Sequence, residues 1–275
     1  MNSIGLIAGQ EIRLNLRNKW VLSFAILFTV LTLGLAYFGM VTSGYSGFQD
    51  FRRTSASIIN LTAYLVPLFA LLMGVFSFIS NKEYFELLVT QPVSRSQIML
   101  GKYGGLLVAL LTATVAGFGI PGVISALVIG SAGASRYLAV VGLSFLLAAS
   151  FLSIAMLIAI AFKRQLTAVG TALGVWFFFI MFYDLVVISM TLYLKKSVLQ
   201  YVLVFALLGN PVDMVRVMSL LSVGGTTVFG PAGATLIKIF GSTGTISLLF
   251  TGVLLLWIVL PLALAIFMFR RQDLT

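Results

Sequence analysis

Asp184 stands beside Tyr183 in an otherwise uncharged apolar run, and its carboxyl is the first group to consider for chemistry. An acid at hydrocarbon depth is expensive, so it belongs either to a hydrogen-bonded partnership inside a helical bundle or to a polar path through it. The sequence leaves both readings open. The ten methionines offer soft thioether ligands, and Met214 and Met218 sit four apart on one helical face. That spacing is more often hydrophobic packing, so no metal ligands are assigned. With no Cys and no His, thiolate and imidazole chemistry are excluded, both as metal sites and as nucleophile or general base. An intramembrane enzyme is the weakest class, because no paired acids lie within the apolar runs.

Nucleotide motifs fail on context. "GFGIPG" at 117–122 satisfies G-x-G-x-x-G literally but lies inside an apolar run with no strand before it, where close helix packing is the better reading. At Gly101-Lys102 a phosphate-binding loop would need a glycine at 96 and Ser or Thr at 103, and the chain has Ser96 and Tyr103. Gly170 and Gly174 form G-x-x-x-G, a close-packing face for a second copy or for this bundle alone.

The elements that must position these groups are membrane helices. The 275 residues are 60% hydrophobic and 9% charged, against about 25% charged for soluble domains. Charge-free intervals at 21–49, 54–81, 103–135, 137–162 and 239–269 can each cross a hydrocarbon layer of roughly 30 Å. Spans are expected near 20–41, 58–80, 104–130, 137–162, 167–194 and 245–269. The fold class is all-α, a polytopic bundle of six transmembrane helices forming one domain over 1–275. Residues 2–19 precede it as an amphipathic helix in the interface plane, its stripe Ile4, Ala8, Ile12, Leu16 and Trp20. Placing the N-terminus inside puts ten basic residues near cytoplasmic span ends and seven opposite, so both termini are expected in the cytoplasm of a multi-pass inner-membrane protein. The net charge of +10 is read as contact with anionic lipid, not nucleic acid.

Residues 195–244 form an extracytoplasmic segment. "VLQYVLVFALLG" at 198–209 is too short to cross and reads as re-entrant or interfacial. Asn210 is the expected N-cap of a following helix, with Pro211 at its first position, Asp213 in its first turn and Gly224-Gly225 at its end. On the other side lies "SNKEYFELLVTQPVSRSQIMLGK", 80–102, which concentrates Lys82, Glu83, Glu86, Arg95 and Lys102. "KEYFELLV" places Tyr84, Leu87 and Leu88 on one helical face, and Pro92 breaks it. Ser94 and Gln97 form a capping box that starts a helix at Arg95. The loop 81–101 is thus a short stiff element with an apolar face that needs a protein groove.

"E…LLVTQPVSRSQIMLGK" resembles the loop after the second span of ABC-2 type permeases, and "QEIRLNLRNKW" resembles their N-terminal elbow helix. The resemblance implies a non-catalytic membrane subunit that works as a second copy of itself joined to two ABC ATPase subunits. ATP and magnesium then sit on the ATPase, with no cofactor on this chain. It implies ATPase coupling through Tyr84, Glu86, Leu87, Leu88, Pro92, Arg95 and Lys102. "LLGNPVDMVRVMSLLS" and "FGPAGA" are similar to the permeases of copper-processing ABC complexes needed to mature nitrous oxide reductase. That narrower likeness implies that Asn210, Pro211, Asp213, Arg216, Gly230 and Pro231 meet a periplasmic NosD-like copper-handling protein. "SNKEYFELL" departs from the family in being less acidic and in lacking a glycine before the leucine pair. The alternative within the family is an exporter of a lipid, drug or other apolar solute.

Overall fold

In the computed structural model the described residues are 3–17, 19–42, 47–79, 93–129, 134–162, 164–194, 196–224 and 240–272. Every element among them is helical. We label them α1 (Ser3–Leu16), α2 (Lys19–Thr42), α3 (Gly47–Ile79), α4 (Arg95–Ile129), α5 (Ala134–Ala161), α6 (Gln165–Tyr193), α7 (Lys196–Gly209), α8 (Pro211–Gly224) and α9 (Thr243–Arg271). Five continuous helical stretches are long and apolar enough to cross a membrane: Ser57–Ile79, Arg95–Gly119, Tyr137–Ala161, Gln165–Tyr193 and Thr243–Arg271. They coincide with five of the six expected spans. The first expected span is α2, whose Val21–Leu35 stretch joins α1 across a 61° bend.

Local chemistry explains where these helices begin. Ser94 and Gln97 make the reciprocal capping box: the Gln97 amide nitrogen donates to Ser94 Oγ at 3.3 Å and the Ser94 amide to Gln97 Oε1 at 3.1 Å. α9 starts where Gly241 takes φ 82° and Ser242 Oγ accepts from the Thr245 amide at 3.1 Å. Inside the spans, hydroxyls turn back onto their own helices. Thr62 Oγ1 donates to Ile58 O at 2.7 Å, and Thr114 Oγ1 to Leu110 O at 2.8 Å, so polar side chains cross an apolar layer satisfied.

α5 is the central post and packs against α3, α9, α8 and α4. Around it the core is built from Phe24, Phe28, Phe118, Phe151, Phe250 and Phe269, all nearly inaccessible. Gly117 lets α2 approach α4: a Cβ there would collide with the Phe28 ring, and Thr32 Oγ1 donates to Gly117 O at 3.0 Å. The glycines of "GFGIPG" therefore begin with a helix-packing contact. α6 sits at the edge, with 6% of its apolar window buried against 56% to 67% for α3 to α5.

α1 packs along the start of α4, and the face it buries there is Ile7, Glu11 and Asn15, with Leu16 left 43% exposed. The stripe Ile4, Ala8, Ile12, Leu16, expected to meet the membrane interface, is a different line along the helix. Gly101 and Gly105 decide which face docks. A Cβ on Gly101 would lie 2.8 Å from Ile7 Cβ, and one on Gly105 would lie 2.7 Å from Ala8 O. Two missing side chains make the groove into which α1 sinks.

Candidate functional site

The described chain has two polar nodes, one at each end of the path between α3 and its neighbours. The first lies at the end of α3 and the start of α4, the helices that flank residues 80–92. Tyr84, Glu86, Leu87, Leu88 and Pro92 lie outside the described residues. Arg95 and Lys102, on the helix that follows, both turn inward. The Arg95 guanidinium faces the end of α9, with Nη1 3.0 Å from Phe269 O, 3.4 Å from Arg270 O and 2.5 Å from Gln272 O. It also lies 5.6 Å over the Phe269 ring. The last carbonyls of a helix lack intrahelical donors and carry negative partial charge, so a cation there supplies both. Gln272 Nε2 adds a bond to Ile160 O at 2.8 Å, tying α9 to the end of α5.

Lys102 goes deeper. Its Nζ meets Glu11 Oε1 at 2.8 Å, and both side chains are fully inaccessible. Glu11 Oε2 accepts from Asn15 Nδ2 at 3.0 Å and, at a long 3.5 Å, from Ser77 Oγ. The Lys102 ammonium also sits 5.0 Å over the Phe78 ring. One carboxylate therefore joins α1, the start of α4 and the end of α3. Glu11, Asn15 and Ser77 were not singled out by the sequence. The usable signal was that Glu11 is the lone acid before Asp50, with G-K-x-x-G at 101–105 elsewhere in the chain.

The second node is organised by a π-helical turn, Phe178–Phe182, within α6. Such wide turns disturb the regular backbone ladder, and here the Phe179 carbonyl accepts from Asn210 Nδ2 at 2.9 Å. Asn210, itself inaccessible, also caps α8: its Oδ1 accepts from the Val212 amide at 3.0 Å. The sequence-predicted Asn210-Pro211 start and Gly224 end of α8 are both observed. Tyr183 Oη donates to Ala206 O at 2.6 Å, and a Cβ on Gly209 would strike that hydroxyl. The 105° bend between Tyr201–Gly209 and Pro211–Val223 thus rests on Gly209, Asn210 and the turn in α6.

Arg216 connects the remaining charges. Its Nη1 is 2.9 Å from Asp213 Oδ1 and 3.7 Å from Asp184 Oδ2, and its guanidinium lies 5.8 Å over Tyr64 of α3. Asp213 also accepts from Asn210 Nδ2 at 2.7 Å. The sequence treated Asp184 and the 210–216 motif separately; the fold brings them together. Gly230 and Pro231 lie outside the described residues. Met214 and Met218 are buried among core side chains. α8 itself is packed inside the bundle against α3, α5 and α9. Tyr64 is 13 residues before Ser77, so the nodes are about 20 Å apart along α3.

Residues 6–274 match the family model for ABC-2 family transporter proteins. The chain is 34% identical over 231 residues to the "Probable ABC transporter permease protein NosY" of Pseudomonas aeruginosa, covering 80% of this chain and 82% of that one. It is 33% identical over 278 residues to the protein of the same description from Stutzerimonas stutzeri, covering 99% of each. An apolar helical bundle, a helix capped by Ser94 and Gln97 and a family match over nearly its whole length lead to one statement: this chain belongs to the ABC-2 family of transporter membrane proteins.

Proposed function

We propose that the chain is the non-catalytic membrane subunit of an ABC transporter, coupling ATP hydrolysis on a separate ATPase to movement of its own spans. The observation that carries this is the packing around residues 80–92. The helix before them, α3, packs chiefly on α5, α6 and α2, while the helix after them, α4, packs chiefly on α1 and α2 and also on α5. α3 and α4 touch each other only lightly. A push on 80–92 therefore acts between two helices that touch each other only lightly and are joined mainly through α2 and α5, which suits a segment seated in a motor subunit. On this reading both termini and the 80–92 loop are cytoplasmic, and the protein lies in the inner membrane.

Two copies work with two ATPase subunits. Side chains at Gly170 and Gly174 would meet open space, so that G-x-x-x-G face is not used within this bundle. A second copy on α6 gives it a use and screens the half-exposed Asp184 from lipid. The likeness to NosY permeases supports work in copper delivery for nitrous oxide reductase maturation, with a periplasmic copper-handling partner meeting the part of 195–244 that is not packed inside the bundle. The permease then transmits mechanical work and does not conduct the metal, since it has neither Cys nor His and its Met214 and Met218 are packed in the core.

The test is co-purification of the ATPase with a Leu87→Asp/Leu88→Asp variant. We expect loss of the ATPase with normal membrane insertion; unchanged co-purification contradicts the docking face. Metal uptake by permease and ATPase reconstituted without a periplasmic partner would contradict the mechanical role.

A further inference from the structure

The fully buried Glu11–Lys102 pair needs an explanation that stability does not supply. Buried ion pairs are often no more stabilising than apolar side chains of the same volume, and in some proteins they fix how two elements align. Glu11 faces two bodies with its two oxygens. Oε1 meets Lys102 at 2.8 Å, between the two glycines on which α1 is seated. Oε2 reaches Ser77 of α3 at 3.5 Å, a much weaker contact. Ser77 and Lys102 lie on the two helices that flank residues 80–92, and those helices pack only lightly on each other.

We infer that Glu11 and Lys102 are positioning residues that lock α1 and Arg95–Gly105 of α4 into one rigid lever. Motion delivered through 80–92 then moves α1 and the start of α4, with the end of α9 that Arg95 holds, relative to the end of α3, with the Glu11–Ser77 contact the first to part. This rests on the reading that 80–92 receives the motion of the ATPase. Both act through the helices they hold.

The native chain has no cysteine, so an introduced pair can replace the electrostatic lock with a covalent one. Ile7→Cys/Gly101→Cys places two Cβ atoms at 2.8 Å, which must open by about 1 Å for a relaxed disulfide. The experiment uses the full chain with its ATPase in proteoliposomes, reading ATPase co-purification and permease-dependent ATP turnover. Glu11→Leu/Lys102→Met should retain the ATPase at the parental ratio and lose about tenfold in turnover. Adding the cysteine pair and oxidising should restore turnover to within about twofold, and reduction should abolish it again. The reversed pair Glu11→Lys/Lys102→Glu gives an independent arm and should stay within about threefold of parent. Parental turnover in the apolar variant, no recovery with the disulfide formed, or a tenfold loss in the reversed pair despite normal assembly would overturn the lever. Failure of even the parent chain to retain an ATPase would refute the docking reading instead.

Discussion

Removing one partner of the Glu11–Lys102 pair should be among the most damaging single changes available in this protein. Lys102→Met keeps the length and apolar volume of the side chain but leaves the Glu11 carboxylate at zero accessibility, with Asn15 at 3.0 Å and Ser77 at 3.5 Å as its polar neighbours. Breaking a buried pair in this way costs about 3–5 kcal/mol. At about 2–4 °C per kcal/mol for a chain of this size, the unfolding midpoint in detergent should fall by roughly 6–20 °C. Adding Glu11→Leu removes the stranded charge. Asn15 still donates to Glu11 O at 2.9 Å, a backbone contact that survives the substitution. The double variant should therefore return to within about 1 kcal/mol of the parent. A double-mutant cycle by thermal unfolding of tagged protein should yield a coupling energy of about 3 kcal/mol or more. A Lys102→Met midpoint unchanged from the parent, or two substitutions whose effects simply add, would refute the claim that the pair is desolvated and mutually dependent.

Three further outcomes follow from the same packing. Asn210→Ala removes a helix cap and leaves the buried Phe179 carbonyl without that donor, a combined loss of about 2–4 kcal/mol, and Asn210→Ser should recover roughly 1 kcal/mol through capping alone; thermal unfolding ranks the three. Arg95→Ala should cost about 1 kcal/mol globally yet loosen the end of α9, read as faster amide exchange at residues 269–272 with little change elsewhere. Gly117→Ala forces the Phe28 ring aside and should destabilise by about 1–3 kcal/mol, whereas Gly170→Ala, which meets open space within one copy, should leave the midpoint of the monomer within about 0.5 kcal/mol.

What the sequence reveals is set by how local the physics is. Long apolar runs announced the helices, and Ser94/Gln97 and Asn210-Pro211 announced two starts because a capping interaction is complete within three or four residues. Other features depend on chain segments far apart. Glu11 and Lys102 are 91 residues apart, and nothing near Glu11 distinguishes a buried charge from the polar side of an interfacial helix. Helical periodicity picked out Ile4, Ala8, Ile12 and Leu16 as an interfacial stripe, but it could not show that the glycine groove on α4 receives Ile7, Glu11 and Asn15. The π-helical turn at "FFIMF" has no punctuation of its own, and the Asn210 side chain that bonds its Phe179 carbonyl comes some thirty residues later. Likewise Asp184 was legible as an unusual acid, but its neighbour Arg216 was legible only once α8 folded back beside α6.

The central claim, that residues 80–92 seat in a separate ATP-hydrolysing subunit, is open to one direct measurement. In this cysteine-free chain a single Leu88→Cys can carry a short bifunctional crosslinker, with Leu138→Cys, exposed at the start of α5 and so at the other end of the bundle, as the control. Crosslinking in native membranes that contain the ATPase should give a permease–ATPase adduct from position 88 and none from position 138. An adduct from 138, or none from 88 while the two proteins still co-purify, would contradict the account.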